Sequence, residues 1–243
     1  MRNYLSVVFA ATTALSLISQ AHASVQLMGT RVIYPAEAQS VPLRFISKDD
    51  YPSIMQISVS ATEPETEAVD TTPAPFVVTP PIFRMDPHKD LMIARLSHVA
   101  GANLPQDRES VFYLTFNQIP AEKKAAQDNN QLAFTFKTTV KLFYRPKALT
   151  KQDDQHLAQL RVDPQKLRQG MIHVTNPTPY YVTINAISLN NNQLLLKDKL
   201  PMLAPFSSHS YPLGKLKPAS LSGTLTLNII NDLGGISKQK ISL

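Results

Sequence analysis

No cysteine and no tryptophan occur in this sequence, and only seven of its 243 residues are glycine. Without cysteine there is no disulfide framework and no thiol nucleophile, so burial alone must hold the fold. Without tryptophan, the stacking platform on which a sugar-binding sandwich would rely is missing. No glycine-rich loop exists to cradle phosphates, which argues against ATP use. G-x-S-x-G and H-E-x-x-H are absent too, and the six histidines show no metal-ligand spacing. No catalytic residue, no metal and no cofactor are therefore expected. Beyond the first 23 residues no segment approaches eighteen consecutive apolar residues, so no membrane insertion is expected.

What is present starts with a leader. Met1-Arg2-Asn3-Tyr4 precedes an apolar segment from Leu5 to about Ile18, closed by Ala21-His22-Ala23. This is a secretory signal with an A-x-A cleavage site, spanning 1–23, so an exported mature chain begins at Ser24. The whole sequence carries a formal charge of +6, which falls to about +5 when Arg2 is removed with the signal. That charge is thinly spread, with Lys123-Lys124 its main cluster. No arginine-rich stripe suits nucleic acid, and none is expected as a partner.

Nineteen prolines and many short runs of valine, isoleucine, leucine and threonine describe an all-β chain with proline-punctuated loops. Strands are predicted from Ser24 to Tyr34, Val41 to Ser47, Ile54 to Ala61 and Phe76 to Thr79. Others follow from Ile82 to Met85, Leu91 to Leu96, Ser110 to Asn117 and Gln131 to Tyr144. Together they suffice for one immunoglobulin-like sandwich. Arg145 to Asp154, with Pro146 and a polar run from Lys151, reads as a linker. A second set covers Leu167 to Asn176, Tyr180 to Asn190, Gln193 to Leu196, Ser207 to Pro212, Thr224 to Asn231 and Ile236 to Ser242. Two immunoglobulin-like β-sandwich domains are thus expected, at 24–148 and 153–243. Glu63 to Pro75, acidic and threonine-rich with three prolines, is read as an extended loop, and His156 to Leu160 as a short helical turn.

The stretch from Gln131 to Pro146 is the most informative. Leu132, Phe134 and Phe136 recur at two-residue spacing, which sets three large apolar side chains on one face of a strand. So apolar a strand is either packed in the interior or exposed on a sheet edge, where it invites pairing by another chain. Lys141 has the opposite parity and, unless a bulge intervenes, points to the other face.

Six segments, in order along the chain, resemble one family. They are Thr30-Arg31-Val32-Ile33-Tyr34-Pro35, Thr79-Pro80-Pro81-Ile82-Phe83-Arg84, the run from Leu104 to Tyr113, Lys141-Leu142-Phe143-Tyr144-Arg145-Pro146, the run from Asn176 to Tyr181, and Ile230-Asn231-Asp232-Leu233-Gly234-Gly235. The chain resembles the periplasmic chaperones of the chaperone/usher pathway, which escort pilus and fimbrial subunits. That resemblance implies a boomerang of two immunoglobulin-like domains with a cleft between them. It also implies donor strand complementation: the last strand of the first domain is lent to a subunit sandwich that lacks one, and the capped subunit is delivered to an outer-membrane usher. Main-chain hydrogen bonds and alternate side chains in pockets carry such strand addition.

By the same resemblance Leu132, Phe134 and Phe136 are the donated residues, each contributing roughly 1.5–3 kcal/mol if fully buried in the subunit. Arg31 and Lys141 match the pair that grips the carboxylate at the subunit's C-terminus. The chemistry suits them, because arginine binds a carboxylate through paired hydrogen bonds and lysine adds a point charge. An ion pair at about 4 Å in a partly screened cleft has a Coulomb attraction of about 4 kcal/mol before desolvation. Glu109, Arg145 and Asp232 match the salt bridge that links the domains.

Thr79-Pro80-Pro81 forms a tight turn that accommodates a cis peptide, although trans is the commoner state of any X-Pro bond. The connection between Asn117 and Gln131 is short, which in the family goes with rod-like, often adhesive pili. The sequence departs from the family in lacking a tryptophan near Met55 to Val59. The alternative from another class is a fimbrial structural subunit or adhesin-like sandwich, but such subunits usually carry a disulfide and an extended N-terminal donor segment. An apolar edge of this length also makes self-association of the free protein an expectation.

Overall fold

Alternation of buried and exposed residues shapes several strands of the first half of the molecule, as over Val41–Ile46, Ser53–Ser60 and Phe76–Thr79. The computed structural model describes residues 25–64, 73–89, 91–99, 101–121, 134–149, 158–190, 192–193, 200–213 and 223–243. One sheet orders β1 (Gln26–Leu27), β3 (Val41–Ile46), β7 (Met92–His98) and β5 (Phe76–Thr79) as β1-β3-β7-β5. The facing sheet joins β2 (Arg31–Pro35), β9 (Phe136–Arg145), β8 (Ser110–Pro120), β4 (Ser53–Ser60) and β6 (Ile82–Met85) in the order β2-β9-β8-β4-β6. Inward residues at two-residue spacing, such as Met55 and Ile57 on β4 or Phe112, Leu114 and Phe116 on β8, meet Leu43, Phe45, Ala94 and Leu96 in one core. In place of a tryptophan, that core holds Met55 at 0% exposure together with Phe45, whose ring lies 5.4 Å from Phe116 and 5.8 Å from Phe83.

A second core forms around Ile172, Val174, Ile187, Leu227 and Ile229, all at 0% exposure. Its sheets are β10-β11-β14, with β10 Arg161–Val162, β11 Met171–Asn176 and β14 Ser207–Pro212, and β13-β12-β15-β16, with β12 Thr183–Leu189, β13 Asn192–Gln193, β15 Thr224–Ile230 and β16 Ile236–Ser242. The chain is therefore two β-sandwiches, with little helix among the described residues beyond a 3-10 turn at Lys147–Leu149 and the short helix α1 (Pro164–Arg168).

Several boundaries differ from the sequence reading. The strand expected from Ser24 to Tyr34 is two strands, because Gly29, at φ +120°, lets the chain leave the β1 sheet and enter the β2 sheet. Leu167 belongs to α1 rather than to β11: Asp163 caps the helix, accepting from the N–H groups of Gln165 (2.8 Å) and Lys166 (3.4 Å), and Pro164 opens its first turn. The short strand β10 was not anticipated. β8 runs on to Pro120, and β9 begins only at Phe136. The Thr79–Pro80 bond is cis. The signal 1–23, Leu132, Lys123-Lys124, most of the connection before β9, and His156 and Leu157 lie outside the described residues, while Ala158 and Gln159 of the expected helical turn form a 3-10 turn.

Candidate functional site

β9 brings the apolar and basic parts of the sequence together on one strand. β8 accompanies it antiparallel and without a break, from Ser110 opposite Tyr144 to Gln118 opposite Phe136. β2 runs parallel to it only from Arg31 opposite Lys141 to Pro35 opposite Arg145. Among the described residues, the segment from Phe136 to Val140 thus has a strand on one side only. No bulge interrupts the register, so parity holds along the strand: Leu142 and Tyr144 enter the first core, while Lys141, Phe143 and Arg145 share the opposite face.

Phe136 has the parity of the core residues, yet it is 55% exposed, and Phe134 just before the strand is 63% exposed. Neither fills the first core, so the reading of these two as ordinary interior residues is set aside. Two large aromatic side chains stand at a strand edge that is unpaired among the described residues, where nonspecific association is normally avoided.

Arg31 and Lys141 are brought side by side by the parallel register of β2 and β9. Arg31 Nη1 donates to the Ile230 carbonyl of the second domain at 3.1 Å, and its guanidinium stands 5.7 Å from the centre of the Phe143 ring. Its buried Nε has no hydrogen-bond partner among the described residues. Burial pushes the Arg31 pKa down, against the support of Asp232 and Glu109; an arginine remains charged nonetheless.

Glu109, Arg145 and Asp232 meet between the domains. Arg145 Nη2 lies 2.7 Å from Glu109 Oε1, and Nη1 lies 2.7 Å from Asp232 Oδ2. Burial works against the Arg145 charge, but hydrogen bonds and attraction from the two carboxylates outweigh it and hold its pKa above the ordinary value. Burial pushes the Glu109 carboxyl up, opposed by Arg145 and by the Tyr181 N–H, which donates to Oε2 at 2.8 Å. Three residues with no assigned role complete this contact. Tyr180 carries Arg145 5.3 Å from its ring centre, and the Phe143 and Tyr181 rings are 5.8 Å apart. Their sequence signal was the pair Tyr180-Tyr181 after Asn176-Pro177-Thr178-Pro179, conspicuous but silent about which domain it faces.

Comparison with known proteins settles the family. Residues 24–150 match the pili and flagellar-assembly chaperone family, PapD N-terminal domain, and residues 155–241 match the pili assembly chaperone PapD, C-terminal domain. The chain belongs to the PapD family of pilus-assembly chaperones. It is 34% identical to the probable fimbrial chaperone YadV of Escherichia coli K12 over 92% of this chain and 91% of the relative. It is 32% identical to the chaperone protein FimB/FhaD of Bordetella pertussis over 94% and 91%. Among solved structures, it superposes on a chain from the Salmonella enterica complex of SafA pilin with the SafB chaperone at a TM-score of 0.74, with 26% identity and 93% and 99% coverage. The YadV crystal structure gives a TM-score of 0.70, with 29% identity and 91% and 100% coverage. This PapD-family protein is accordingly a fimbrial chaperone and not a fimbrial subunit or adhesin.

Proposed function

We propose that this chaperone works in the periplasm, exported by the 1–23 signal, and caps fimbrial subunits by lending them the strand that ends in β9. The reading rests above all on the open edge from Phe136 to Val140, with Phe134 and Phe136 exposed beside it. A subunit sandwich missing one strand offers backbone groups for that edge and an apolar groove for Leu132, Phe134 and Phe136. Release of apolar surface from water drives capture, with no ATP and no catalysis. The subunit strand would continue the line of β2, so that its C-terminal carboxylate arrives at Arg31 and Lys141. The uncommitted Arg31 Nε–H supports that role. Glu109, Arg145 and Asp232 set the relation of the two domains, which we divide at 24–148 and 153–243. The capped subunit then passes to an outer-membrane usher. While no subunit is bound, the same edge favours self-association.

The test is co-purification from the periplasm with a co-expressed fimbrial subunit. Wild type forms a complex; Arg31→Ala with Lys141→Ala abolishes it while the variant stays folded. Phe136→Ser weakens capture but changes thermal stability little, because the ring is mostly solvated in the free protein. A complex that survives the double substitution removes the anchor, and unaltered capture by Phe136→Ser removes the donated strand.

A further inference from the structure

Asp232 and Ile230, the second-domain partners of Arg145 and Arg31, lie at the end of β15 or just past it, in the four-stranded sheet. A separate contact reaches the other sheet. Phe206 directly precedes β14 and has φ +54°, a backbone state that a bulky residue adopts only where its surroundings impose it. Its N–H donates to the Thr178 carbonyl at 3.1 Å. The bed beneath is tightly knit: Asn176, at 0% exposure, donates to the carbonyls of Tyr180 (2.8 Å) and Ala204 (2.9 Å) and accepts from the Thr178 N–H at 3.1 Å.

The Phe206 ring, 50% exposed, stands 5.0 Å from the Arg108 guanidinium of the first domain. Asp107 holds that guanidinium, accepting from Nε at 3.1 Å and from Nη2 at 2.7 Å. Glu109, next along the chain, donates its N–H to Pro179 O at 2.9 Å on the same bed. The ties of Arg31 and Arg145 gather at the end of β15, and those of Glu109 reach the connection between β11 and β12 through Tyr181 and Pro179. A contact beside β14 adds a point of restraint on the other sheet, away from that cluster.

We propose that Arg108 and Phe206 form a second clasp between the domains, which together with the Arg145–Asp232 tie fixes the orientation to which a fimbrial subunit is fitted. The proposal rests on the chaperone reading above. Arg108 and Phe206 are positioning residues, acting through the set of the two domains. The strained Phe206 backbone is what turns the ring out toward Arg108, and Asp107 presets the plane that it meets.

Arg108→Gln, Phe206→Leu and the double variant test this in the full mature chain. Residual dipolar couplings read the interdomain orientation, amide shifts within each domain read its integrity, and titration with a purified fimbrial subunit reads affinity. Each single variant is expected to shift or broaden the interdomain orientation measurably while both domains keep their own spectra. Each weakens subunit binding by about two- to fivefold, the range of an exposed cation–π contact, and the double variant is no weaker than either single one. Wild-type orientation in both single variants overturns the clasp, as do losses that add in the double variant. If Phe206→Leu unfolds the second domain, Phe206→Gly, whose backbone accepts the positive φ, replaces it. A wild-type protein that captures no subunit would sink the chaperone reading, whereas the dipolar couplings would still decide the clasp.

Discussion

Tyr211 shows how one residue ties stability to pH. It is 2% exposed, its hydroxyl donates to Pro201 O at 3.1 Å, and burial pushes its pKa up to about 12 from 10.0. Because the folded value lies above the unfolded one, the stabilisation is complete below pH 10. It is then lost as pH rises from 10 toward about 12. Tyr211→Phe should therefore cost about 1 kcal/mol at neutral pH, where the hydrogen bond to Pro201 O is lost. The difference from wild type should shrink as pH climbs through that window. Denaturant melts of both proteins at pH 8 and pH 11 check this; a gap that widens at the higher pH would contradict it.

At the scale of elements, α1 and β9 differ in how far the sequence revealed them. The cap on α1 is legible in Asp163-Pro164, yet a helix of five residues carries no periodicity long enough to outweigh the apolar residues that follow it. Asp163→Ala should cost about 1 kcal/mol, the usual worth of an N-cap, measured by chemical denaturation of the second domain. An unchanged midpoint would mean that packing of Leu167, at 3% exposure, holds the turn unaided. For β9, period-two spacing placed Phe134 and Phe136 on one face and Lys141 on the other, and the unbroken β8 register keeps that parity. Spacing could not tell whether the apolar face was covered. Burial depends on the facing sheet, and among the described residues the short overlap with β2 leaves Phe136 to Val140 unpaired on one side. The strand from Ser24 was misjudged for a related reason: a glycine at positive φ moves the chain between sheets while hydrophobic alternation continues on both sides of it.

For the whole molecule, what matters is how two sandwiches are joined. Glu109 is 3% exposed, and Arg145 6%, so removing one partner strands a charge, at a cost of about 3–5 kcal/mol. This charge sits between domains, not inside one, and separation of the domains returns it to water. Arg145→Ala should therefore change the interdomain arrangement more than it unfolds either domain. Small-angle scattering would show a broader distance distribution, while each domain keeps its own melting transition. Unchanged scattering together with unchanged subunit binding would count against it.

The sequence by itself determined the all-β class, the two sandwiches and the chemistry available at the site. Alternation, proline punctuation and the absence of cysteine act locally or through composition, and are therefore visible in one dimension. Only the tertiary structure decided which faces are covered, that Arg31 and Lys141 stand in register, and that Arg108 meets Phe206. Those facts depend on the pairing of strands and domains far apart in the chain, and no local pattern encodes the distance between Arg145 and Asp232.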